Sequence, residues 1–144
     1  MVNDILDFKD FYQKNSITPV GLDELLQQSD IVSLHLPLND STVNIISKNH
    51  LQMLKKDAVI INLARGGLID ENALKEILIE NKIAGAALDV FAIEPPNDKQ
   101  FALIDNVLIT PHIGGSTEEA ILAMGMAAID GLNNSKDPLK FLSN

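Results

Sequence analysis

Residues 58–70 read AVIINLARGGLID. Four apolar residues, Ala58, Val59, Ile60 and Ile61, rise into Asn62, Leu63 and Ala64, and the run breaks at Arg65, Gly66 and Gly67. Asp70 then opens a helical pattern in which Leu74, Ile77 and Leu78 share one face. A short apolar run, then glycines, then a capping residue reads as a buried strand, a tight turn and a helix. In an open α/β sheet, ligands bind at the carboxyl ends of the strands. This strand therefore delivers Arg65 to the ligand edge, where a guanidinium can hold an anion through two parallel hydrogen bonds.

The same pattern recurs on either side. Near-continuous apolar runs at 31–36, 85–90 and 107–110 alternate with helical stretches, the signature of βα repeats feeding a parallel sheet. Right-handed crossovers would stack the strands near 31–36, 58–64, 85–90 and 107–110 in that order. Helices are expected at 21–29, with Leu22, Leu25 and Leu26 on one face, and after Ser47, carrying Leu51 and Leu54. Another begins at Asp70 and breaks at Asn81 and Lys82, and a long one runs from a capping box at 116–119 to about Leu132. Residues 1–4 look like the tail of a strand, and 17–20 like a short strand weakened by Pro19. Residues 1–16 show little periodicity, Pro95 and Pro96 force an extended loop, and 133–144 are polar except Leu139, Phe141 and Leu142.

Composition narrows the class of function. The chain has 144 residues, enough for one domain with a real core, and 46% of them are hydrophobic. Its net charge of -9 makes it a poor partner for nucleic acid or an anionic membrane, but leaves room for a small anion held by one or two cations. There is no cysteine, hence no disulfide and no thiolate metal site. The N-terminus lacks a signal-peptide pattern, and no apolar run approaches the roughly 18 residues of a membrane span. The expected address is the cytoplasm.

Each of the last three strands ends on a reactive side chain. The first ends on Arg65, the second on Asp89 with Glu94 just beyond, and the third on His112, followed by Gly114 and Gly115. In a parallel sheet all four side chains project into one crevice. An arginine there can hold a carboxylate or polarise a carbonyl. A histidine can move a proton to or from an alcohol oxygen, and a glutamate beside it can orient the ring. Taken singly, each has a plainer reading: a surface arginine, a turn histidine, a solvated loop acid, glycines that only permit tight turns. Asp89 is the exception, because an acid at the end of an apolar strand needs partners.

Together, INLARGGLIDENAL, AGAALDVFAIEPP and NVLITPHIGGSTEEA resemble the D-isomer-specific 2-hydroxyacid dehydrogenases over roughly residues 21–132. The resemblance implies an NAD-dependent oxidoreductase acting on a small 2-hydroxy or 2-keto acid, with further copies of the chain as partners. By that resemblance Arg65 would grip the substrate's carboxylate and carbonyl oxygen. His112 would be the general acid/base at the C2 oxygen, with Glu94 as its partner. Asp89 would meet the nicotinamide carboxamide, while Leu63, Ala64 and the turn from His112 through Gly114 and Gly115 would line the nicotinamide ribose side. His35 and Pro37 match the strand end near the adenosine, and Asp4 matches the acid on the adenosine ribose hydroxyls, on which the choice of NAD over NADP rests.

One departure from the family is large. A dinucleotide fold holds the pyrophosphate on a glycine-rich first turn, and this sequence has no G-x-G-x-x-G. The expected fold is thus α/β, a truncated Rossmann-like parallel sheet with flanking helices, whose first strand and glycine-rich loop are absent. Residues 1–144 would form an incomplete NAD-binding domain without the substrate domain. The strand before Asp30 would lack a neighbour, and the 30–36 strand would have an open edge. Such a chain would bind NAD weakly or not at all by itself. A second reading stays open, a non-catalytic NAD-sensing or dimerisation module like the family's transcriptional corepressors; a methyltransferase on a similar sheet is disfavoured, because it would also want an N-terminal glycine loop and would not explain the Arg–Glu–His set.

Overall fold

A computed structural model describes residues 1–96 and 99–135, so Leu139, Phe141 and Leu142 lie outside the described residues. The chain divides into two units, Met1–Pro111 and His112–Asn144. At the centre of the first unit are four parallel strands: β1 (Ile31–Leu34), β2 (Val59–Asn62), β3 (Gly85–Leu88) and β4 (Val107–Ile109). They lie in the order β1-β2-β3-β4, with Val32 opposite Ile60, Ile60 opposite Ala86 and Ala86 opposite Val107. This is the Rossmann-like sheet that the apolar runs imply, with shorter strands. The last residues of each run leave the ladder to build turns at the carboxyl edge, as at β2, where the Ala64 N–H donates to the Asn62 side chain.

Helices α2 (Leu22–Gln28), α3 (Lys48–Leu51) and α4 (Glu71–Ile79) flank the sheet. Leu26, Leu51, Leu74 and Leu78 are buried in one cluster with Val32, Leu34, Ile60 and Leu88 of the strands. Burying each such side chain is worth about 1.5–3 kcal/mol, which makes this cluster the main source of stability. Local chemistry sets the helix ends. Asp70 caps α4 by accepting the Ala73 N–H at 3.0 Å. Asn81, at φ 51°, closes it: its N–H donates to Leu78, and that of Lys82 to Ile77. Ser47 caps α3, as expected, with His50 completing the box where Glu or Gln is usual. An isolated bridge between Ile46 and Ile69 ties the segment before α3 to the segment before α4.

Three expectations need correction, and one element, a 3-10 helix, is additional. Helix α1 (Lys9–Lys14) forms where no periodicity was visible. Its anchor is a single buried Tyr12 flanked edge-on by Phe8 and Phe11, too few contacts to make a periodic stripe. The expected strand at 17–20 is only a one-residue parallel bridge between Pro19 and Val2, but it does have a neighbour. The bonds run from the Val2 N–H to Thr18 and from the Val20 N–H to Val2, so the N–H that Pro19 lacks is not needed. A 3-10 helix (Lys99–Leu103) follows the proline loop and buries Phe101 against Phe91, with ring centroids 5.6 Å apart. In the second unit, α5 (Glu118–Asn133) is capped by Thr117, which accepts the Ala120 N–H at 3.1 Å, and not by Ser116 within a capping box.

The open edge expected on the 30–36 strand is present: among the described residues β1 pairs only with β2. No helix among them is long and apolar enough to cross a membrane. Surface ion pairs shift a few groups, as where the hydrogen bond and charge of Glu76 raise Lys48, but exposed pairs of this kind add little stability. Leu74→Ala is expected to destabilise the fold by about 2–5 kcal/mol in urea unfolding, because Leu74 is fully buried. Asp70→Ala should cost about 1 kcal/mol in the same measurement and Asp70→Asn close to nothing, since asparagine caps as well as aspartate.

Candidate active site

Asn62, the last residue of β2, is a polar side chain only 2% exposed. Its amide is used at both ends: Oδ1 accepts the Ala64 N–H at 3.1 Å and Nδ2 donates to the Arg65 carbonyl at 2.9 Å. The chain therefore turns sharply at Arg65, and Gly67 continues the turn at φ +79°, where a side chain would be strained. Arg65 points into solvent, with Nη1 donating to the Ala64 carbonyl at 2.6 Å.

The next strand ends beside this turn. Asp89 is 3% exposed, its N–H donates to the Asn62 carbonyl at 3.0 Å, and its Oδ1 accepts from the Thr110 hydroxyl. The buried acid thus has the partners that its burial requires. Beyond it the backbone crosses directly over Gly66, where an ideal Cβ would lie 1.9 Å from the Phe91 carbonyl carbon and 2.4 Å from the Ala92 nitrogen. Only glycine permits that approach. Glu94 closes the loop on itself, its Oε1 accepting the Phe91 N–H at 3.0 Å, and the Glu94–Pro95 peptide is cis. Arg65, Asp89 and Glu94 are therefore carried on two adjoining turns.

On the other side of β2, His35, Leu36, Pro37 and Leu38 face Leu63, Ala64 and Arg65 across a cleft of ≈ 430 Å³. His35 Nε2 lies 2.9 Å from the Ser33 hydroxyl. A second cleft of ≈ 390 Å³ shares His35 and Leu36 and is lined by Asp4 and by apolar side chains of α2 and β1. Asp4 is exposed there and accepts the Leu6 N–H at 2.8 Å. Thus Asp4, His35, Pro37, Leu63, Ala64 and Arg65 follow one another along adjoining clefts at the carboxyl edge.

His112, Gly114 and Gly115 belong to the second unit. His112 adopts φ 54°, a left-handed conformation that histidine visits more readily than most residues. A bond of 2.9 Å from the Ser116 N–H to the Ile113 carbonyl closes a turn over Gly114 and Gly115. Two residues that shape the site were not among the candidates: Asn62, which holds the arginine turn, and Thr110, which holds Asp89. The only sequence signal for either was a polar side chain at the end of an apolar run.

Residues 4–114 match the family described as "D-isomer specific 2-hydroxyacid dehydrogenase, NAD binding domain". The chain is 52% identical over 104 residues to a D-3-phosphoglycerate dehydrogenase of Methanocaldococcus jannaschii, covering 72% of this chain and 20% of that protein. It is 45% identical over 114 residues to a hydroxypyruvate reductase of Thermotoga maritima, covering 77% of this chain and 37% of that protein. A solved D-isomer specific 2-hydroxyacid dehydrogenase from Lactobacillus delbrueckii ssp. bulgaricus, in its NAD-complexed form, superposes with a TM-score of 0.80 at 35% identity. The match covers 94% of this chain and 46% of that one. The chain thus spans less than half the length of these relatives, and it belongs to the D-isomer specific 2-hydroxyacid dehydrogenases, in their NAD-binding domain.

Proposed function

We propose that this chain is the part of an NAD-dependent D-2-hydroxyacid dehydrogenase that carries the substrate-binding arginine and the proton-transfer pair, and that the substrate is 3-phosphoglycerate or a close analogue. The observation that supports it most is the pairing of the Arg65 turn with the Glu94 loop through the close approach at Gly66. That contact carries an anion-binding group and an acid on neighbouring turns at the carboxyl edge of a parallel sheet. The choice of 3-phosphoglycerate rests on relatives of that name and on the HIGGST sequence at 112–117.

The residues along the edge suit the nucleoside portions of NAD. A carboxylate at Asp4 can accept two vicinal ribose hydroxyls, and the apolar walls around His35 and Leu36 can cover a ring. Leu63 and Ala64 line the adjoining cleft beside Arg65, and Asp89 has the chemistry to hold a carboxamide. When bound, NAD supplies the hydride donor or acceptor for C2 of the substrate. In this reading the Arg65 guanidinium leaves the Ala64 carbonyl and takes the substrate's carboxylate and carbonyl oxygen, drawing electron density from C2. In the reducing direction His112 gives a proton to the C2 oxygen as hydride reaches C2; in the oxidising direction it removes that proton. By the family resemblance, Glu94 would serve as the partner of that histidine. The turn through Gly114 and Gly115 would line the nicotinamide ribose side of the cofactor.

The phosphate cradle has no counterpart in this sequence. Residues 1–144 are therefore proposed to be an incomplete cofactor domain; a cytoplasmic homo-oligomer is proposed from the family resemblance alone. The cleft between residues 1–4 and the free edge of β1 is where a further strand would pair. The 144-residue chain should show no micromolar affinity for NADH by calorimetry; micromolar binding by a monomer would refute the claim that the cradle is needed. In assays with NADH and 3-phosphohydroxypyruvate, the chain alone should be inactive. A version extended ahead of residue 1 by a glycine-rich strand–turn–helix and a substrate domain should turn over. In that version His112→Ala should lower kcat by about 10²–10⁴-fold. Absence of turnover of any 2-keto acid by the extended protein would count against the enzyme and in favour of a sensing or dimerisation module.

A further inference from the structure

The close approach over Gly66 limits how near the 91–94 loop can come to the arginine turn, but packing of this kind has no direction. A hydrogen bond supplies direction. One such bond comes from Glu71, whose Oε1 accepts the Ala92 N–H at 2.7 Å, 21 residues along the chain. Glu71 is the first residue of α4. At that position a glutamate ordinarily serves its own helix by offsetting the dipole; here it is spent on a neighbouring loop. Its backbone is well fixed, because Asp70 caps the helix and Leu74, Ile77 and Leu78 bury its inner face.

Two consecutive amides of the loop are thus taken by two carboxylates. Phe91 donates to Glu94, within the loop, and Ala92 donates to Glu71, outside it. The first bond shapes the loop and the second attaches it to the scaffold. Phe91, packed on Phe101, is the loop's apolar anchor. The bond at Ala92 adds a directional tie from the loop to α4, which that apolar contact does not supply. A charged acceptor also makes a shorter and stronger bond than a neutral one.

We infer that Glu71 is a positioning residue, which fastens the 91–94 loop to the first turn of α4 and so sets the place of Glu94 relative to Arg65. The inference rests on the dehydrogenase reading for its catalytic consequence, but not for the attachment itself. Glutamine at 71 keeps an oxygen acceptor, whereas alanine leaves the Ala92 N–H to solvent.

The test has two arms. In the isotopically labelled 144-residue chain, Glu71→Ala should speed hydrogen exchange at Ala92 by about tenfold or more, while exchange in β2 and β3 stays unchanged and reports an intact fold. Glu71→Gln should retain most of the protection. In the extended protein that turns over, Glu71→Ala should lower kcat about tenfold, leave KM for NADH within about twofold and move the pH–rate profile, because it displaces the acid that the dehydrogenase reading assigns as the general base's partner. Glu71→Gln should restore both kcat and the profile. Unchanged exchange at Ala92 in Glu71→Ala would overturn the attachment. Faster exchange with an unchanged kcat and pH profile would reduce Glu71 to a structural role and overturn the positioning. If no 2-keto acid is turned over, the dehydrogenase reading fails separately, with the attachment still decided by exchange.

Discussion

The buried amide of Asn62 is the interaction on which the site depends. A strand must release its backbone groups when it leaves the sheet, and an unpaired N–H or C=O there costs about 1–3 kcal/mol. Asn62 resolves this by accepting from Ala64 and donating to Arg65 within one side chain. The chain can therefore turn within three residues of the ladder, with the arginine side chain directed outward. Aspartate could accept but not donate, and leucine could do neither.

From that turn the constraints propagate through backbone contacts. The Asn62 carbonyl receives the Asp89 N–H, so the end of β3 is registered on the same residue that forms the arginine turn. Gly66 then lets the 91–92 backbone pass at a distance no side chain would allow. Thr110, beyond β4, donates to Asp89 and extends the chain of polar contacts across three strand ends. Each link is short-ranged and directional, which is what a preorganised site requires. The hydrophobic cluster beneath supplies the stability, but apolar packing alone would not set the angle of any of these side chains.

Much of this was legible in the residues. The four strands, their order and the caps at Ser47 and Asp70 follow from apolar runs and capping chemistry, which act over a few residues. The grouping of Arg65, Asp89 and Glu94 at one edge follows from strand polarity in a parallel sheet. Helix α1 was not legible, because its six residues lean on one buried tyrosine and carry no repeating stripe. The pairing of Val2 with Pro19 is not legible in the residues, because a proline argues against a strand, although a parallel bridge at that residue uses only its neighbours' groups. The helix start at Thr117 could not be separated from Ser116 by composition, as both hydroxyls are competent caps.

The sequence by itself determined the fold class, the family pattern and the identity of the chemical groups, because periodicity and residue type are local properties. Only the tertiary structure decided how the two turns meet. The fit of Gly66 under the Phe91 carbonyl and the reach of Glu71 to Ala92 join residues more than twenty positions apart. Nothing in either stretch announces the other. A glycine in a turn and a glutamate at a helix start each have sufficient local reasons to be there, and only packing in three dimensions gives them a second one.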